Sequence, residues 1–204
     1  MSRPRSLVAA LGAALVLLGA CGGGGSHEFV GYTRDSEPVV DVAALPDLSN
    51  GGQPFAMRAE PGHLLVVYFG YTNCPDFCPT TMTNVARAKE DLGDDGSRID
   101  VAMVSVDPER DTAVLADYVH SFVPEAHALA TDDPALLAAV AEPFGVSYQV
   151  STKPDGSIDV AHTTYLYAVD EHGSLVITWP AGTSADDLAD DLRQLLRDAD
   201  RDAS

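Results

Sequence analysis

Cysteine is scarce in this 204-residue chain: three residues, at positions 21, 74 and 78. A disulfide framework is thereby excluded as a source of stability. Cys74 and Cys78 are only four positions apart, and a loop that small would restrict the unfolded chain very little. Positive charge is scarce as well. Twelve Lys and Arg stand against 31 Asp and Glu, a formal net charge of −19. With no basic stripe, the chain repels phosphate backbones, which excludes nucleic acid as a partner. Such acidity bears on solubility and on the choice of protein partner. No internal repeat is present, and the length suits one domain of ordinary size with a short N-terminal extension.

That extension has its own pattern. Arg3 and Arg5 open it, the apolar run Ser6–Leu18 follows, and Leu18-Gly19-Ala20-Cys21 ends it. The run is shorter than the roughly 20 residues of a membrane-spanning helix. A basic start, a short apolar stretch and small residues before a cleavage point read as a secretory signal peptide over residues 1–20. The ending LGAC resembles the lipobox of bacterial lipoproteins. The resemblance implies that Cys21 is lipidated and becomes the first residue of the mature chain. Gly22–Gly25 then fit a flexible tether within residues 21–28. The expected location is the extracytoplasmic face of the cell membrane, held by lipid. With Cys21 so used, Cys74 and Cys78 remain as a pair.

From residue 29 onward the pattern is that of one folded domain, 29–204. Phe29–Met57 reads as a β-hairpin or two short strands around the turn Ser49-Asn50-Gly51-Gly52. Leu64–Gly70 (LLVVYFG) and Ile99–Val106 (IDVAMVSV) are continuous apolar runs, as in strands covered on both faces. Between them a helix is expected with Pro79 in its first turn, running through Met82, Val85, Ala86 and Lys89 to a stop at Gly93. Asp107-Pro108 breaks the second strand, and Asp111 is read as the N-cap of a helix carrying Val114, Leu115, Tyr118 and Val119. A short strand over Ala128–Thr131 and a helix over Pro134–Ala141, ended by Pro143, follow. Two hairpins come next, Tyr148–Val150 with Ile158–Val160 and Thr163–Val169 with Leu175–Trp179. A last helix, capped by Ser184, presents Leu188, Leu192, Leu195 and Leu196 as one stripe. An early βαβ unit followed by antiparallel strands and a closing helix gives an α/β fold, a mixed central sheet with helices on both faces. This is the thioredoxin-like arrangement.

Within it the stretch YTNCPDFCPTT (Tyr71–Thr81) lies where the first buried strand gives way to a helix. Cys78 falls at the helix start, where free N–H groups and the dipole favour a thiolate. The pair can serve as a redox couple, as a chelating S₂ edge for a soft metal, or as plain structural thiols. A spacing of CxxxC is one residue wider than the usual redox CxxC and suits a metal if a third ligand comes from elsewhere. Copper(I) accepts two or three soft ligands, and copper(II) takes imidazole beside thiolate. Of six histidines, His27, His63, His120, His127 and His172 read as solvated or capping residues. His162 differs, because it precedes the strand that such folds bring against their cysteines. Met82, four positions after Cys78, reads as core although its sulfur is a possible soft ligand. Asp107 reads as turn-forming, with a role in orienting a ligand as the alternative. Asp76 reads as solvated.

Taken together, YTNCPDFCPTT, VSVDPERDT (Val104–Thr112) and a histidine before a late strand resemble the Sco/SenC family of copper proteins. The resemblance runs from about Val30 to the last helix. It implies a copper ion held by Cys74, Cys78 and His162, in a membrane-tethered protein that assists assembly of the copper centre of cytochrome c oxidase subunit II. Copper delivery and reduction of the target's thiols are both implied. Some family members have an acidic residue directly before the histidine, where this chain has Ala161, so any group orienting His162 must lie elsewhere. The alternative function is a thiol-disulfide oxidoreductase using Cys74 and Cys78 without metal. Phe77-Cys78-Pro79-Thr80 also resembles the peroxiredoxin segment. That family places a threonine three residues before its reactive cysteine, and here the position is Pro75. A zinc hydrolase built on the same ligands would lack a placed general base.

Overall fold

The seven residues Leu64–Gly70 form a strand buried at every position, and they anchor everything around them. The computed structural model describes residues 27–34 and 36–202. The signal segment, Cys21 and the glycine tether lie outside the described residues. In chain order the elements are β1 (Leu45–Asp47), β2 (Gln53–Phe55), β3 (Leu64–Gly70), α1 (Phe77–Asp91), β4 (Ile99–Ser105), α2 (Pro108–Asp111), α3 (Leu115–His120), β5 (His127–Leu129), α4 (Pro134–Phe144), β6 (Tyr148–Thr152), β7 (Ile158–His162), β8 (Leu166–Val169), β9 (Leu175–Trp179) and α5 (Ala185–Asp202).

Seven strands make one mixed sheet in the order β2-β1-β5-β4-β3-β8-β9, with β6 and β7 paired separately. β3 runs parallel to β4, from Leu64 opposite Ile99 to Gly70 opposite Ser105, and antiparallel to β8. Alternation along β3 divides the core. Leu64, Val66 and Tyr68 face α1 and α5, while Leu65, Val67 and Phe69 face α4. Because both faces are covered, neither can be polar, which is why the strand shows no alternation in sequence. The thioredoxin-like arrangement expected from the element order is the one observed.

Several local expectations are corrected. The first hairpin is confined to β1 and β2, and among the described residues the chain before it contributes isolated bridges, Tyr32 to Thr178 in β9 and Val39 to Ser174 just before it. α4 continues through Pro143 to Phe144 and stops at Gly145, whose φ of 72° is the left-handed conformation glycine tolerates. Proline forfeits one helix hydrogen bond there. The packing of Phe144 on Phe69 and Tyr167, with ring centroids 5.2 and 5.1 Å away, holds the last turn. Asp111 is not a cap; the residue before α3 is Val114, and Asp111 ends α2 with its carboxylate turned into the core.

α5 closes the fold on the expected stripe, with Leu188, Leu192 and Leu196 buried and the Asp187 N–H donating to the Ser184 hydroxyl at 3.2 Å. Asp191 interrupts that stripe. Buried completely, it accepts from the Trp179 indole at 2.8 Å and from the Val30 and Gly31 N–H groups at 3.1 and 3.0 Å, and it contacts His27 at 2.8 Å. It therefore pins the N-terminal segment to the sheet and helix. Asp191→Ala strands an indole and two backbone donors, so it is expected to destabilise the protein by about 3 kcal/mol or more. Chemical denaturation checks the value, and loss of hydrogen-exchange protection at Val30 and Gly31 checks the cause.

Candidate metal centre

β3 ends at Gly70, and the chain turns through Thr72 and Cys74 before α1 begins at Phe77. The helical phase of α1 is set by its apolar face, Cys78, Met82, Val85 and Ala88, all packed against the sheet. Cys78 is therefore carried inward and is fully buried, whereas Cys74 stays partly exposed on the rim. Both thiols are free. Met82 is a core residue as read, and Asp76 is exposed and makes no side-chain cap.

The helix N-terminus acts on the other sulfur from the one expected. Free N–H groups of a first turn point back beyond the helix, toward the residues that precede it. The Cys78 N–H accordingly donates to Cys74 Sγ at 3.4 Å. Burial opposes a charge on Cys74. Donors from the Cys78 and Asp76 backbones, the Cys78 thiol and the Tyr71 hydroxyl outweigh it and bring that thiol below its ordinary pKa. Burial pushes Cys78 the opposite way, up to about 12, despite donors from Tyr68 and the Tyr71 backbone. The two cysteines are thus an accessible, acidified thiol and an enclosed neutral one.

Three residues hold this rim that the sequence did not single out. Gly70 must lack a side chain, since a Cβ there would stand 2.7 Å from a Tyr68 ring carbon and 3.2 Å from Cys78 Sγ. Thr72 donates its N–H to both Asp111 oxygens at 3.2 Å and its hydroxyl to Oδ1 at 2.6 Å. Ser105, at the end of β4, donates to Asp111 Oδ2 at 2.7 Å. The buried Asp111 carboxylate therefore ties the loop before Cys74 to the end of the neighbouring strand. Asp107 immediately precedes α2, its carbonyl accepts from the Arg110 and Asp111 N–H groups and its side chain pairs with Arg110, a turn-forming role as read.

His162 ends β7, opposite Tyr148, and leads into β8. β8 lies beside β3 with Leu166 opposite Tyr68, so the chain before β8 arrives at the cysteine end of the sheet. The imidazole packs edge-on against Tyr68 and Tyr71, with centroids 6.3 and 5.7 Å away. The Tyr68 hydroxyl reaches Cys78 at 3.4 Å, and the Tyr71 hydroxyl reaches Cys74. His162 Nδ1 sits 2.8 Å from the Thr163 carbonyl, which can only accept. Nδ1 therefore carries a proton, and the bond fixes the orientation of the ring. That carbonyl supplies the orienting partner that Ala161 cannot. Burial, partly offset by hydrogen bonds to the Thr163 and Phe69 carbonyls, lowers the His162 pKa and keeps the ring neutral. Among the described residues no three His, Cys, Asp or Glu side chains stand close enough to hold a metal as they are.

The other histidines are engaged elsewhere. His27 contacts Asp191, His63 contacts Asp100 at 3.1 Å, His127 contacts Asp47 at 2.8 Å and His120 contacts the Ala126 carbonyl at 3.1 Å. His172 is exposed in the β8–β9 turn.

The difference between the thiols is directly testable. Iodoacetamide at pH 7.5 is expected to alkylate Cys74 at least about tenfold faster than Cys78, because only Cys74 has both access and a lowered pKa. Peptide mass spectrometry over time checks it, and equal rates would contradict the division of the pair.

The SCO1/SenC family model matches residues 48–197. A SCO2-like protein of Rickettsia prowazekii is 32% identical over 129 residues, 62% of this chain and 62% of the length of that protein. The solution structure of apo Sco1 from Thermus thermophilus matches with a TM-score of 0.72 at 34% identity, covering 84% of this chain and 99% of that one. The structure of Bradyrhizobium japonicum ScoI with copper bound matches at 0.64 and 29% identity, covering 74% and 96%. The family match takes in β3, the cysteine helix and His162, and the chain belongs to the SCO1/SenC family.

Proposed function

We propose that this protein binds a copper ion through Cys74, Cys78 and His162 and assists assembly of the copper centre of cytochrome c oxidase subunit II. The observation that carries the reading is the shared environment of the three donors: two free thiols and one neutral imidazole meet the same pair of tyrosines, Tyr68 and Tyr71. The donor set fits copper. Two sulfurs and an imidazole are the soft and borderline ligands that both copper valences accept. Copper supplies a thiophilic ion that can be passed to the thiolates and imidazoles of a target. Bradyrhizobium japonicum ScoI, similar over 74% of this chain, is a copper-bound relative and supports the same assignment.

In this reading each group has a task. Cys74 is the entry ligand, exposed and acidified. Cys78 loses its proton when the ion is held, since a metal displaces a thiol proton that burial alone would retain. His162 closes the site from β7, and the separate two-stranded pairing of β6 with β7 leaves that segment outside the main sheet. The lipid on Cys21 and the glycine tether would hold the domain on the extracytoplasmic face of the membrane, within reach of an integral membrane partner. Among the described residues no helix is long and apolar enough to cross a membrane.

The asymmetry of the thiols also suits a second reading, thiol-disulfide exchange with a dithiol target. An exposed thiol of lowered pKa attacks, and a buried neighbour resolves the mixed disulfide. The two uses are linked, because a disulfide between Cys74 and Cys78 cannot ligate copper.

His162→Ala separates them. It is expected to weaken copper(II) binding by more than about tenfold, as loss of a ligand exceeds the effect of losing a group that merely orients one. The unfolding midpoint should stay within about 3 °C, since the residue is only partly buried. Titration followed by absorbance and electron paramagnetic resonance checks the first point. An unchanged affinity and spectrum would overturn the ligand assignment. An unchanged rate of disulfide reduction in the same variant would support exchange independent of the imidazole.

A further inference from the structure

The copper reading leaves one group on the rim without a task, the hydroxyl of Tyr68. The residue is completely buried and extends from β3 toward the first turn of α1. Its hydroxyl donates to Cys78 Sγ at 3.4 Å, and the Thr81 side chain is its other polar neighbour, placed to donate to the same oxygen. Gly70 makes the contact possible, because a side chain there would meet both the tyrosine ring and the sulfur. A buried phenol usually reaches a carbonyl or carboxylate; here the phenol proton is directed at a cysteine.

We propose that Tyr68 is a positioning residue that holds the Cys74/Cys78 pair in its dithiol form. Cys78 is a neutral thiol here, so the contact is lost by movement: closing the S–S bond to about 2.05 Å draws Cys78 Sγ toward Cys74 from where the phenol now reaches it. Burial leaves no water to replace the lost acceptor. The phenol proton could then turn only to Thr81, whose hydroxyl would have to give up donating to the same oxygen, so a cost falls on the oxidised form alone. The reaction concerned is exchange with a small disulfide such as oxidised glutathione. Cys74 thiolate attacks one glutathione sulfur and expels the first glutathione thiolate. Cys78 then gives up its proton and displaces the second glutathione from the mixed disulfide. Two cysteine thiols are oxidised to one disulfide, and one glutathione disulfide is reduced to two thiols. By opposing that exchange, Tyr68 keeps both sulfurs available to a soft metal. The proposal rests on the reading of Cys74 and Cys78 as the acting pair, and it makes no use of bound metal or of His162.

Tyr68→Phe removes the hydroxyl and keeps the ring. The full-length, metal-free protein is equilibrated in glutathione redox buffers at pH 7, quenched with an alkylating agent and scored by mass spectrometry. The expected result is a shift of about fivefold toward the disulfide, the factor supplied by one hydrogen bond of ordinary strength. That equals a potential about 20 mV more negative. Tyr167→Phe, on the opposite face of the sheet, should leave the equilibrium unmoved. An equilibrium within about twofold of the unaltered protein, a shift toward the dithiol, or an equal shift in Tyr167→Phe would overturn the proposal. Should Tyr68→Phe fail to fold, the unaltered protein gives the answer. Its Tyr68 ring-carbon resonances should change on oxidation while those of Tyr167 do not, and invariant Tyr68 resonances would refute the contact. Because metal is absent throughout, failure of the copper assignment in His162→Ala would leave this measurement intact.

Discussion

Everything at the rim follows from how α1 is seated on β3. The helix must turn Cys78, Met82, Val85 and Ala88 to the sheet, and that phase carries one sulfur into the core. The same first turn leaves its N–H groups pointing back along the chain, where Cys74 receives one of them. A single constraint, burial of an apolar helix face, thus makes two chemically distinct thiols from two identical residues four positions apart. One is acidified and accessible. Its partner is neutral and enclosed, with a tyrosine hydroxyl against it.

The surrounding structure serves to keep that seating fixed. Asp111 binds the loop before Cys74 to the end of β4 through Thr72 and Ser105, so the cysteine loop is tied at a second point beyond the end of β3. The carboxylate is fully buried, yet it accepts from three donor groups, which is the condition under which a buried charge is tolerated. Asp191 does the corresponding work at the opposite end of the chain, fastening the N-terminal segment beneath α5. Asp111 and Asp191 thus each use a buried carboxylate to hold a loop or a terminus.

Much of this was legible in the sequence. Leu64–Gly70 and Ile99–Val106 declare themselves as doubly covered strands by their lack of alternation, the second ending one residue earlier than read. The cysteine pair falls at the end of the first, as its place in the sequence indicated. His162 stood apart from five other histidines because it precedes the segment that thioredoxin-like folds bring against their cysteines, and β8, which follows it, does pair with β3. What could not be read depended on contacts between distant segments. Asp111 follows a proline-initiated turn and looks like a helix cap until Thr72 and Ser105 are seen beside it. Tyr68 looks like one more core aromatic in an apolar strand. Which cysteine gains from the helix N-terminus depends on a phase of one or two residues, finer than a boundary read from sequence. The Thr163 carbonyl that fixes the His162 ring is a backbone group and leaves no mark in sequence at all.

The central claim is that Cys74, Cys78 and His162 converge on one copper ion. Copper-edge X-ray absorption fine structure of the full-length protein loaded with one equivalent of copper tests it most directly. The account predicts a shell of two sulfurs and one nitrogen, with the outer-shell scattering of a single imidazole. A shell with no imidazole contribution, or one built from nitrogen and oxygen without sulfur, would contradict it.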